Sequence, residues 1–260
     1  MKIIETVGVI AIKFCIRVAE AVLFLMTVIK TLLSSKLKIF HVLEQMRTIG
    51  VGSFVIVFLT GSFAGLALAL QTYIGFHRVG AEEFIGPVVG LAMTRELGPV
   101  LTGIMVTGRS GSAMAAELGT MQITEQVDAL KTLCIDPFQY LIVPRVLASS
   151  LILPFLTIFS MICGVAGGYI FCVYILGLRP ETYTSGIKEL GDIKDITGGL
   201  IKAIFFGLIL SWIGCYQGYR TTGGARGVGR ATTKSVVIGS IMILIANYFL
   251  SSFLFQIGIS

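Results

Sequence analysis

The sequence predicts an all-α polytopic membrane protein with about five transmembrane helices. Three observations predict it. Of the 260 residues, 55% are hydrophobic and only 13% are charged, whereas an ordinary soluble domain carries about 25% charged residues. Apolar stretches with few or no charges recur along the chain, each about twenty residues or longer and so able to cross a bilayer. Short polar segments separate them, with no linker that splits the spans into two groups.

Residues 1–40 form an N-terminal unit ahead of the five-helix unit at 41–260. On a helix turning about 100° per residue, Lys2, Glu5, Lys13, Arg17, Glu20, Thr27, Lys30, Ser34 and Lys38 share one face. Ile3, Val7, Ile10, Phe14, Val18, Leu25, Ile29 and Leu32 occupy the other. So long a charged stripe fits an amphipathic helix lying in the membrane interface. A spanning helix with its stripe turned inward is the alternative. The interrupting charges, with no small-residue cleavage site after them, argue against a cleavable signal.

The first span covers residues 51–74 and is uncharged. Its Gly61-Ser-Phe-Ala-Gly65 run is a small-xxx-small pattern that lets helices approach closely. A polar turn at 75–83 leads to the second span at 84–106, which carries Arg95 and Glu96 at mid-depth. The glycine- and serine-rich run 108–119 continues that helix beyond the bilayer. Residues 121–139 predict a short amphipathic helix, with Thr124 placed to cap it and Asp136-Pro137 turning the chain after it. The third span, 141–176, contains Pro144, Pro154 and a glycine run at 164–168, which together predict a kink or a break. A polar loop at 177–195, a fourth span at 196–216, a glycine-rich loop at 217–234 and a fifth span at 235–255 complete the chain.

The net charge of +6 fits the excess of Lys and Arg in cytoplasmic loops of membrane proteins. No basic run is interleaved with aromatics in the manner of a nucleic-acid reader, so no nucleic-acid partner is expected. Arg220, Arg226, Arg230 and Lys234 place the 217–234 loop in the cytoplasm, together with the N-terminus and the 121–139 segment. An odd number of spans puts the C-terminus on the opposite side. The five cysteines include no C-x-x-C pair and read as small hydrophobes. His41 and His77 are far apart, and neither a nucleophile elbow nor a zinc-protease helix occurs. No metal site is expected. The glycine-rich loop lacks the phosphate-cradle pattern G-x-x-x-x-G-K-[ST], so any ATP hydrolysis by that route falls to a separate chain.

Ionisable residues at bilayer depth are costly and usually face a bundle interior or a watery cavity. Arg95 and Glu96 point about 100° apart on a helix and do not face one another. Each requires a partner elsewhere: Arg109, Lys202, Gln71 or a ligand headgroup. An interhelix ion pair and a polar cavity explain the pair equally well. Arg109 is placed to snorkel, to pair with Glu117 or to hold a helix joint. The 125–133 helix reads either as an ordinary interfacial helix or as a docking element for a soluble partner.

Several motifs occur in one order: Arg95-Glu-Leu-Gly-Pro-Val100, Gly108-Arg-Ser-Gly-Ser-Ala-Met-Ala-Ala-Glu-Leu-Gly-Thr-Met121, Thr124-Glu-Gln126, Asp136-Pro137, Pro144-Arg145, Gly218-Tyr219 and Gly227-Val-Gly-Arg-Ala-Thr-Thr233. With Ile49-Gly-Val-Gly52 through Leu68-Ala-Leu-Gln71, they make residues 40–255 closely resemble the MlaE (YrbE-type) permease family. The resemblance implies the non-catalytic membrane subunit of an ABC-type phospholipid transporter, working between inner and outer membranes. It implies a second copy of the chain and an ABC ATPase subunit that carries ATP and Mg, with no cofactor on this chain. It further implies a periplasmic MCE-domain protein and, in some systems, a STAS-domain protein. A bacterial inner-membrane location is expected, with a cytoplasmic N-terminus and a periplasmic C-terminus; chloroplast relatives act in the envelope. By the same resemblance Leu68, Gln71, Tyr73, Arg95 and Glu96 lie at a lipid cavity between the two copies. Glu117, Glu125, Gln126, Asp128 and Leu130 belong to a coupling helix region that docks on the ATPase, and the N-terminal helix matches an interfacial elbow. A membrane-embedded lipid-modifying enzyme and a passive scaffold are the alternatives from other classes.

Overall fold

The computed structural model describes residues 2–34, 39–190 and 192–258, and the described residues form helices and their connections, without strands. The principal helices are α1 (Lys2–Ser34), α2 (Ile39–Phe76), α3 (Glu82–Ile123), α4 (Gln126–Thr132), α5 (Phe138–Ile175), α6 (Pro180–Leu190), α7 (Ile193–Tyr219) and α8 (Gly224–Ile257). Helices α2, α3, α5, α7 and α8 are long and apolar enough to cross a membrane. The chain is therefore an all-α multi-pass membrane protein, as the hydropathy pattern predicts. The end of the bundle that holds the 77–84 turn and α6 is called the upper end below; α4 lies at the lower end.

Small residues set the packing. Helices α2 and α5 run parallel with their backbones in contact, because a Cβ on Gly65 would lie 1.9 Å from the Gly164 carbonyl oxygen. The close approach continues at Gly61 and Gly167, where a Cβ would lie 2.9 and 2.5 Å from the Ser160 and Ser62 carbonyl oxygens, and further along the pair Phe54 stacks on Phe159 with centroids 4.2 Å apart. One apolar cluster fills the middle and lower bundle, and a second, built on Ile85, Val89, Met93, Phe171 and Tyr183, fills the upper end.

Four expectations change. Helix α5 is unbroken, with Pro154 inside it. The 177–195 segment contains α6 rather than only loop. That helix is amphipathic, and its buried Tyr183 donates a hydrogen bond to the Val165 carbonyl at 3.0 Å. The glycine-rich 217–234 segment is mostly helix: α8 begins at Gly224, and its first turns fold back on the preceding chain, since a Cβ on Gly227 would lie 2.0 Å from the Thr222 carbonyl oxygen. Thr124 does not cap α4. Its hydroxyl bonds back to the Thr120 carbonyl at 2.9 Å, and Glu125, at φ 61°, makes the sharp turn into α4.

Helix α1 packs along the lower bundle. Phe24 and Val28 are buried in the main core, and Phe24 meets Phe138, Tyr216 and Tyr219 at centroid distances of 5.2, 5.6 and 5.9 Å. The Trp212 indole N–H bonds the Ala21 carbonyl at 3.0 Å, and Glu20 pairs with Arg220. Val18, Val22, Met26, Ile29 and Leu33 stay exposed on the far side. The polar stripe is therefore divided: Glu20 pairs with Arg220 and the Arg17 carbonyl accepts from the Tyr216 hydroxyl, whereas the Arg17, Lys30 and Ser34 side chains are exposed. The side chains of Lys2, Glu5 and Lys13, and Lys38 itself, lie outside the described residues, as do residues 35–38 beside the expected boundary at 40.

Candidate functional site

The polar centre of the bundle is built by a proline. Pro99 has no N–H, so the carbonyl four residues earlier, that of Arg95, has no helical donor. Helix α3 widens into a π turn over Met93–Leu97, a distortion that often marks functional positions. The freed Arg95 carbonyl accepts a hydrogen bond from the Lys202 ammonium at 2.8 Å. Gly199 makes room for the widened turn: a Cβ there would lie 2.4 Å from the Thr94 carbonyl oxygen.

Lys202 is only 2% exposed, and its second bond, also 2.8 Å, goes to Glu96 Oε1. Glu96 in turn accepts from Asn247 Nδ2 at 2.7 Å and from Ser251 Oγ at 2.9 Å. One carboxylate thus joins α3, α7 and α8. Arg95 uses Nε to bond Asp195 Oδ1 at 2.7 Å. Asp195 is buried, and its other oxygen accepts from the Asp192 backbone N–H. Asp192 and Asp195 form a reciprocal capping box that starts α7, and this fixes where the Asp195 carboxylate sits.

The network satisfies part of the sequence reading and corrects part of it. Lys202 is the partner of Glu96, as proposed among the candidates. Arg95 pairs with Asp195, which periodicity alone does not single out; the D-x-x-D capping spacing at 192–195 is the signal that carries it. Asn247 and Ser251, polar residues four apart in an apolar span, are the other detectable signal. Gln71 and Arg109 are not partners in this network. Arg109 instead lies against Gly52, where a Cβ would overlap its guanidinium at 1.8 Å, and bonds the Thr48 carbonyl and Ser53 hydroxyl, each at 3.3 Å. It holds a helix joint between α2 and α3. Its other expected partner, Glu117, pairs with Arg145 at 2.9 Å.

Helix α3 extends to Ile123, so residues 95 and 96 fall in its upper half. Asp195 is in the first turn of α7, and Ser251 lies about 9 Å below the upper end of α8 at a rise of about 1.5 Å per residue. Of the other residues tied to a lipid cavity, Leu68 and Tyr73 pack against the upper apolar cluster. Gln71 is exposed, and Tyr73 stacks on His77 with centroids 4.9 Å apart.

At the lower end Val127 is buried and anchors α4, leaving Glu125, Gln126 and Asp128 exposed and Leu130 half-buried. Asp128 bonds Lys131 at 2.8 Å, and this hydrogen bond holds the Lys131 ammonium above the usual lysine range. Leu133 and Ile135 continue an exposed apolar surface. Among the described residues no group of three His, Cys, Asp or Glu side chains is placed to hold a metal ion.

Comparison with known proteins places this architecture. The chain is 44% identical over 257 residues to a probable ABC transporter permease protein of Rickettsia typhi, covering 99% of both chains. It is 43% identical over 229 residues to the chloroplastic protein trigalactosyldiacylglycerol 1 of Arabidopsis thaliana, covering 88% of this chain and 65% of that one. It is 36% identical over 216 residues to the intermembrane phospholipid transport system permease protein MlaE of Haemophilus influenzae, covering 83% of each. Residues 42–253 match the family described as Permease MlaE. With five spans and the Arg95-Glu-Leu-Gly-Pro99 turn at their polar centre, the chain belongs to the MlaE permease family.

Proposed function

We propose that the chain is the permease subunit of an ABC-type transporter that moves phospholipid between the inner and outer membranes, powered by a separate ATPase subunit. The observation that carries this reading is the state of Arg95. Its side chain is 43% exposed, and among the described residues it bonds through Nε alone, to Asp195. The two terminal nitrogens of the guanidinium remain available, and a planar fork of N–H donors matches a phosphate group. Glu96 differs: its carboxylate is occupied by Lys202, Asn247 and Ser251, so it positions α8 rather than the cargo.

Two copies of the chain then enclose a lipid cavity, with Leu68, Gln71 and Tyr73 on its wall and Arg95 near the headgroup. Glu117, Glu125, Gln126, Asp128 and Leu130 form the surface that meets the ATPase, which holds ATP and Mg. A periplasmic MCE-domain protein receives or delivers lipid at the upper end, and a STAS-domain protein accompanies the ATPase in some systems. The chain itself is non-catalytic. It lies in the inner membrane with its N-terminus cytoplasmic and its C-terminus periplasmic, and α1 lies at the cytoplasmic interface. The names of the Rickettsia and Haemophilus relatives and the basic residues at the lower end support this arrangement.

The test is phospholipid transport by the purified complex reconstituted with its ATPase and MCE partners. Arg95→Ala should lose most transport while inserting and assembling normally, and Arg95→Lys should restore only part of it, because an ammonium lacks the fork. Parent-level transport by Arg95→Ala removes the headgroup role. Lipid turnover by the purified chain without an ATPase favours the enzyme reading instead.

A further inference from the structure

Beside the Arg95–Asp195 pair lies a pocket of about 220 Å³ beneath α6, between α3, α5 and α7. It exceeds the roughly 150 Å³ apolar cavity that admits a benzene ring. Pro87, Leu91, Val165, Ile187 and Ile196 form its apolar wall. Thr94, Asp192 and Asp195 stand at its polar edge, and each uses side-chain oxygen inside the chain, Asp192 accepting from the Lys194 N–H at 3.3 Å. The Thr94 hydroxyl bonds the Gly90 carbonyl at 2.9 Å. Asp195 receives Arg95 Nε and the Asp192 N–H. Water in this pocket would find few partners, and a stable buried water needs two to four of them. Hydrocarbon suits the pocket better.

The surroundings say which hydrocarbon. Helices α3, α5 and α7 are all candidate membrane spans. Ile193, 78% exposed, and Ile196, also exposed, stand at the rim, where acyl chains would surround them. Arg95 follows Thr94 in sequence and bonds Asp195, so its free guanidinium nitrogens lie beside the same edge. An apolar slot with an anion-binding fork at its rim fits an amphiphile bearing a phosphate.

We propose that this pocket is a lateral side site, within a single chain, for the end of one acyl chain of a glycerophospholipid whose phosphate meets Arg95. The proposal rests on the phospholipid-transport reading and is distinct from a cavity between two copies. It brings an acyl end beside the Arg95–Asp195 pair from the rim formed by Ile193 and Ile196.

The test uses the reconstituted complex with phosphatidylethanolamine carrying a diazirine at one acyl terminus. After irradiation, labelled peptides are mapped, and transport is measured on the same preparation. Label is expected on Leu91, Ile187 or Ile196. Gly90→Leu fills the pocket without a backbone clash, because the nearest atom to a Cβ there is an Ile187 side-chain carbon at 3.5 Å. It should reduce pocket labelling about tenfold, as expected when overpacking displaces a bound group. Labelling at exposed Phe253 should persist, and an unchanged size-exclusion peak reports that the variant is folded. A diazirine diacylglycerol lacking phosphate should label the pocket far less. Equal labelling by that probe overturns the phosphate half of the proposal. Transport without pocket label in the parent overturns the side site alone, whereas no phospholipid transport at all overturns the functional reading as well.

Discussion

Lys202→Met tests the idea that one buried ammonium holds the polar centre together. Methionine keeps the length and most of the volume of lysine but neither of its hydrogen bonds. Two contacts are lost, one to the Arg95 carbonyl and one to Glu96. Polar contacts between membrane helices average about 0.6 kcal/mol and reach about 1.7, while breaking a fully buried ion pair costs about 3–5 kcal/mol. Glu96 is 44% exposed, so solvent or lipid headgroups recover part of its loss. The Arg95 carbonyl keeps no helical donor because of Pro99, so its loss is complete. The expected cost is about 2 kcal/mol, or about thirtyfold in the unfolding equilibrium. Denaturant titration in mixed micelles measures it, with Trp212, the single tryptophan, as reporter on α7. A double-mutant cycle with Glu96→Gln should show coupling of about 1 kcal/mol between the two side chains. A Lys202→Met protein as stable as the parent, or strictly additive effects in the cycle, refutes the account of the π turn as a site completed by α7.

Other outcomes follow from the same geometry. Gly65→Leu drives a side chain into the Gly164 backbone, where even a Cβ has only 1.9 Å, and should abolish the monodisperse folded peak on size exclusion. Asp128→Ala removes the hydrogen bond that raises Lys131, so the Lys131 titration followed by NMR should move down toward the ordinary lysine value. Since the folded-state value is raised, the small stabilisation from this pair is full at neutral pH. It fades only as pH climbs through the raised value, and the variant should lack that alkaline step.

Much of this protein is legible in one dimension because lipid imposes a simple rule. A segment that spans must be long, apolar and internally hydrogen-bonded, so composition and length alone determine five spans and an all-α fold. The order of short motifs identifies the family, and some of them mark places where close backbone approach or a missing N–H constrains the chain, as at Gly227 and Pro99. Sequence also identifies Arg95 and Glu96, because a charge inside an apolar run is conspicuous.

Tertiary structure alone decided what those charges do. Asp195 is 100 residues from Arg95, and Ser251 is 155 from Glu96, and no local periodicity links such positions. The division of labour between the pair, with Glu96 occupied and Arg95 partly free, depends on which helices pack around the Met93–Leu97 turn. The same holds for α6 and the start of α8. Both are polar or glycine-rich enough to look like loops, and both become helical because neighbouring backbone and side chains satisfy them. Hydropathy, a sum over local composition, therefore determines what enters the membrane. The pairing of charges is a property of helix packing, and it arises only once the bundle is assembled.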